Sequence, residues 1–167
     1  MTEEKKKFFR KPTKKEVFDG FFIFLIFIII LGSLFWFSIF SLNVMQSTSR
    51  INNIKKNHSQ TIEYISAELQ ICIWERETTA MDGGITCSGN TAAKTVTAAV
   101  SKMKDKNPYV AANNAVRSST SNTNDEDVGY VSLSASESDI IIKSCHKTPC
   151  NKEANRQSST LNIRRWW

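Results

Sequence analysis

"FFIFLIFIIILGSLFWFSIFSL", residues 21–42, runs for 22 residues without a charge. At a rise of about 1.5 Å per residue it spans roughly 33 Å as a helix, the thickness of a bilayer's hydrocarbon core. A core helix of a soluble protein keeps a polar stripe toward water, and this stretch is apolar on every face. A cleaved secretory signal has a shorter apolar region, roughly 7–15 residues, followed by a small-residue cleavage site. The next residues here are "NVMQSTSR", with no such site. The stretch therefore predicts one transmembrane helix that stays in the protein. No charged or amide side chain interrupts it, which argues against an ion or proton path.

Working outward, residues 1–20 hold seven basic residues, Lys5, Lys6, Lys7, Arg10, Lys11, Lys14 and Lys15, against four acidic ones. The 20 residues after the helix hold only Arg50, Lys55 and Lys56. The positive-inside rule predicts a cytoplasmic N-terminal tail and an extracytoplasmic remainder. The net charge of +6 then divides evenly, +3 before residue 21 and +3 after it. Half of the basic excess is a topology signal and the rest is scattered, so no nucleic-acid partner is expected.

Helical spacing continues beyond the apolar stretch. Ile51, Ile54, His58, Ile62, Ile65, Leu69 and Cys72 step by three or four and share one face, while Asn53, Lys56, Gln60, Glu63 and Gln70 take the other. No Pro or Gly occurs between Gly32 and Gly83. One long helix is the simplest reading, with an amphipathic second half over residues 43–75 that needs something to pack on. The Ser/Thr-rich "NVMQSTSR" is its softest point and leaves two separate helices open. Residues 76–167 read as a small α+β domain. "MDGGITCSGN" (81–90) is a turn-rich break and residues 91–106 a short second helix ended by "NPY". Residues 110–129 read as loop. Alternating patterns over 130–134, 140–145 and 160–166 predict a three-stranded antiparallel meander, with the helical stripe covering one face. Trp166 or Trp167 is expected to close the core.

Cys72, Cys87, Cys145 and Cys150 all fall on the predicted outer side, where an even count suggests two disulfides. Three pairings are possible; Cys72–Cys87 and Cys145–Cys150 are favoured because both close short local loops. "CHKTPC" lacks an evident fourth ligand for zinc. The acidic "NTNDEDVG" (122–129) places Asp127 where a calcium loop wants its sixth-position Gly, so a solvated turn is expected. His58 reads as a boundary residue near the membrane. No phosphate-cradling glycine loop, metalloprotease or serine-hydrolase motif is present, and neither an enzyme, a metal nor a cofactor is expected.

The layout as a whole resembles a type IV pilin or pseudopilin. The residues that carry the resemblance are the basic leader 1–20 ending in Gly20, then Phe21 and the apolar run. The amphipathic rod 43–75, the meander and the Cys145–Cys150 loop extend it. The resemblance implies cleavage after Gly20 by a prepilin peptidase, methylation of the new Phe21 amine, and assembly through the apolar helix. Its implied partners are other copies of itself or related subunits, and membrane lipid before assembly. Pilins usually carry Glu at the fifth position after the cut, where it neutralises a neighbour's terminal amine; here that position is Leu25. Some minor or tip pseudopilins lack this Glu, so the resemblance survives but points away from a major pilin, with major versus minor subunit left open. The competing expectation is an uncleaved single-pass accessory or adaptor subunit of a membrane assembly.

Overall fold

A computed structural model describes residues 14–74 and 78–163. The backbone is helical from Lys14 to Trp74 (α1), through the Ser/Thr-rich stretch as well. The chain divides into two compact units, one ending at Met45 and one beginning at Gln46. The described part of the first unit, from Lys14 on, is helix, and each large apolar residue from Phe21 to Leu42 leaves at least 40% of its surface exposed. The leader segment before Lys14 and the terminal Trp166 and Trp167 lie outside the described residues.

The second unit is α+β, as predicted. Its strands and helix are β1 (Thr79–Ala80), β2 (Ile85–Thr86), α2 (Ala92–Lys102), β3 (Val116–Ser118), β4 (Val131–Ser136), β5 (Asp139–Cys145) and β6 (Arg156–Asn162). β1 and β2 form a two-stranded ribbon, and the larger sheet has the order β3-β4-β5-β6. β4–β5–β6 is the predicted meander, antiparallel throughout. Apolar residues alternate along it. Val131, Leu133, Ile140 and Ile142 are fully buried, and share a core with Val96, Ala99 and Met103 of α2 or its cap and with Ile65 and Leu69 of α1. The exposed face of this part of α1 carries Asn53, Lys56, Gln60, Glu63 and Gln70, as the spacing predicts.

Three expectations need correction. Residues 110–129 are not all loop: Val116–Ser118 adds a strand parallel to β4, pairing Val116 with Val131 and Ser118 with Leu133. A parallel neighbour needs a crossover of about a dozen residues, which the polar segment 119–130 supplies. The third meander strand begins at Arg156, not at Thr160, because the β5 ladder continues in register as far as Cys145 opposite Arg156. The second helix stops at Lys102. Met103 turns extended, and its N–H still bonds to Ala99 O. At its start Thr91 caps α2, its hydroxyl accepting the Lys94 N–H at 3.3 Å. The buried face of α2 is built from Ala92, Thr95, Val96, Ala98 and Ala99, small residues that bring its backbone close to the sheet.

Candidate functional site

The candidate assembly surface is the apolar part of α1. It is long and apolar enough to cross a membrane, and none of its most apolar window is buried. Gly20 and Phe21, the candidate processing junction, both lie inside the helix. Phe21 is 59% exposed and nothing approaches the position of a Cβ on Gly20. Leu25 is exposed on the same surface. Two of its serines are satisfied locally: the Ser33 hydroxyl donates to Ile30 O at 2.8 Å and Ser38 to Leu34 O at 2.9 Å. Such a surface has no hydrogen-bonding demand and is matched by acyl chains or by other apolar helices.

The second unit is tied at both ends by cystines. Cys72, in the last turn of α1, joins Cys87 just after β2, with the Cα atoms 5.4 Å apart. Cys145, the last residue of β5, joins Cys150 across a separation of five residues. No cysteine is free. The smaller loop is also held from outside, where the Cys150 N–H donates to Asp125 Oδ1 at 2.8 Å. The phenol of Tyr109 donates to His146 O, and Arg50 lies over the Tyr109 ring at 5.4 Å. His146 is buried, and burial pushes its pKa down, helped by the charges of Lys55 and Lys147.

His58 is not a boundary residue. It is 4% exposed and sits between α1 and the sheet. Its Nδ1 lies 3.1 Å from Ser144 Oγ on β5 and its Nε2 lies 3.0 Å from Ser159 Oγ on β6. In the neutral ring one nitrogen donates and the other accepts, so two serine hydroxyls satisfy it completely. Burial lowers its pKa, which favours that neutral form. Nearby Thr61, fully buried, donates to Asn57 O at 2.7 Å. The helix-on-sheet contact therefore combines apolar packing with a polar bracket that fixes register.

The acidic turn 122–129 is partly turned inward. Asp127 is 5% exposed and its carboxylate accepts from the Ser121 hydroxyl at 2.8 Å, from the Asn124 N–H at 2.9 Å and from the Arg117 guanidinium. Burial alone would raise its pKa; the Asn124, Ser121 and Arg117 hydrogen bonds and the Arg117 charge outweigh it and hold the carboxyl below its ordinary value. Arg117 is further held over the Tyr130 ring at 4.0 Å and donates to Ser132 Oγ at 3.4 Å. Asp125 and Asp127 are thus committed to protein donors, and no metal-ligand cluster occurs among the described residues.

Sequence reasoning missed both the His58 bracket and the Arg117–Asp127 clamp. A partial signal existed for the first: His58 lies in an otherwise apolar stripe and Ser144 continues the alternation of Ile140 and Ile142, whereas Ser159 precedes the strand expected from Thr160. The second had none, because it pairs residues from a segment without periodicity. A long apolar N-terminal helix and two cystines together fit a membrane-anchored extracytoplasmic protein. No protein-family model, curated protein or solved structure matches the chain.

Proposed function

We propose that the protein is a structural subunit of the type IV pilin-like class, anchored by α1 with its N-terminus in the cytoplasm. It assembles through the apolar part of that helix with copies of itself or with related subunits. The observation that carries this reading is the contrast along α1. No large apolar residue of 21–42 is buried within the chain, while Ile54, Ile65 and Leu69 further along are completely buried. The exposed stretch is soluble in lipid and equally stable among identical neighbours, which is what transfer from membrane to filament requires. A structural role for His58 is supported by its two ring nitrogens, both taken up by the serine hydroxyls of Ser144 and Ser159.

Processing after Gly20 belongs to this proposal. Gly is the poorest helix former in its neighbourhood apart from proline, so the backbone opens most readily there to a peptidase. Leu25, where a carboxylate would neutralise a terminal amine, favours a minor subunit. It also supports the second reading, an uncleaved single-pass accessory subunit, since an uncleaved chain places no amine at Phe21. Intact-mass and N-terminal analysis of the mature membrane protein decides between them. An N-methylated Phe21 start supports the pilin-like subunit; a chain retaining residues 1–20 overturns it and leaves the accessory subunit.

A further inference from the structure

The outward face of the larger sheet, opposite α1, carries a groove of about 460 Å³ that the helix-centred reading does not use. One wall is the segment after β3, with Thr120, Asn122 and Thr123; the floor is β5 and β6, with Lys143, Arg156 and Ser158. Lys143 and Ser158 pair across the two strands, and Cys145 opposite Arg156 comes next but one, so the two cations stand on neighbouring strands beside one opening. The volume is within the range of small-ligand sites, roughly 300–1,000 Å³.

Its charges are unspent. Among the described residues the only ion pairs are Lys102–Asp82 and Arg117–Asp127, so neither Lys143 nor Arg156 has a carboxylate partner. Arg117, the third cation of this face, is neutralised by Asp127. Arg156 Nε is buried without an acceptor, and the neighbouring Gln157 Oε1 is buried without a donor. A guanidinium at the groove without a carboxylate partner gains from an oxygen acceptor that also answers its charge. Glu153 is the one acidic residue on the rim, and it forms no ion pair with either cation. The remaining walls offer hydroxyls and amides and no aromatic ring, so a ligand would be held by hydrogen bonds rather than by stacking.

We infer that this groove binds an oxyanion carried on a hydroxyl-rich molecule, an acidic saccharide. Lys143 and Arg156 take the carboxylate or phosphate, and the Thr120, Thr123 and Ser158 hydroxyls take the sugar. The inference does not depend on whether the chain is processed or forms a filament.

The test uses the full chain in detergent micelles at low salt, titrated with galacturonate oligomers, galactose 6-phosphate and neutral galactose oligomers and followed by calorimetry and by amide shifts. Saturable binding of an anionic sugar, with shifts at 120–123 and 156–158 and none from the neutral sugar, is expected. Which anion binds identifies carboxylate or phosphate. Lys143→Gln and Arg156→Gln should each weaken binding about tenfold, as loss of one charge-assisted hydrogen bond implies. Lys94→Gln, a cation on α2 outside the groove, should leave it unchanged. Because Arg156 is partly buried, Lys143→Glu at the groove floor gives an independent variant, and amide spectra report whether each is folded. No binding of either anion, equal binding of the neutral sugar, or undiminished binding by folded Lys143→Glu would overturn the assignment.

Discussion

The side-chain amide of Asn107 fills the space that a Cβ on Gly129 would occupy. Asn107 is fully buried. Its Oδ1 accepts the N–H groups of Tyr109 at 2.8 Å and Val110 at 3.2 Å, and its Nδ2 donates to Val128 O at 3.2 Å. Gly129 is left-handed, with φ of 85°, and its N–H bonds to Cys145 O. One amide thus fastens the loop after α2 to the entrance of β4, and only glycine leaves it room.

Gly129→Ala should destabilise the second unit by about 3 kcal/mol, combining backbone strain with displacement of a buried amide. Asn107→Ala should cost about 2–3 kcal/mol by orphaning three backbone groups. The double variant should lose clearly less than the sum, because truncating Asn107 removes the obstacle to the added methyl. Urea melts of the three variants measure this, and strict additivity would contradict the contact.

Acidification should weaken the helix–sheet bracket. His58 has its folded pKa below the unfolded value near 6.5, so the unfolded chain binds more protons once the pH falls below that value. Stability is therefore fully present above about pH 6.5 and declines below it, by at most about 1.4 kcal/mol per pH unit for each histidine. His146 acts in the same direction. His58→Gln should flatten the slope between pH 6.5 and 5, and adding His146→Gln should flatten it further. An unchanged slope in both variants would exclude the histidines as its source.

A second acid step belongs to Asp127, whose folded pKa is held below the ordinary carboxyl value of 3.8. Its contribution is present above that pH and is lost as the pH falls through and below it. Asp127→Asn should remove the step and cost about 2 kcal/mol at pH 7, less than a wholly buried pair because the Arg117 side chain is 32% exposed. Unfolding curves at pH 7 and pH 3 compare the two proteins.

The disulfides close loops of 15 and five residues in sequence separation, which correspond to about 3 and 2 kcal/mol of loop-closure entropy. Cys72→Ser should therefore cost more than Cys145→Ser. Peptide mapping without reductant should recover 72 with 87 and 145 with 150; any crossed pair would refute this connectivity.

Glu137, at the β4–β5 turn, is left-handed with φ of 49°, a conformation that asparagine tolerates better. Glu137→Asn should raise stability by about 1 kcal/mol, seen as a higher thermal midpoint with unchanged registers.

What the sequence determined by itself was whatever repeats locally. Residues 21–42 need no partner to be read as a bilayer-length helix, since composition alone makes every face apolar. Ile54, Ile65 and Leu69 keep helical spacing, and the strands around Leu133 and Ile142 alternate, because each periodicity belongs to a single element. Tertiary structure decided where different elements meet. β3 is three residues long, too short to show a period, and is a strand only because β4 lies beside it. His58 looked like a flaw in an apolar stripe until two serines from β5 and β6 met its ring. Asp127 read as solvated acid, yet it faces Arg117 from across the crossover. In each case the partner lies elsewhere in the chain, and hydrogen bonding and charge neutralisation depend on distance in space, which local spacing does not encode.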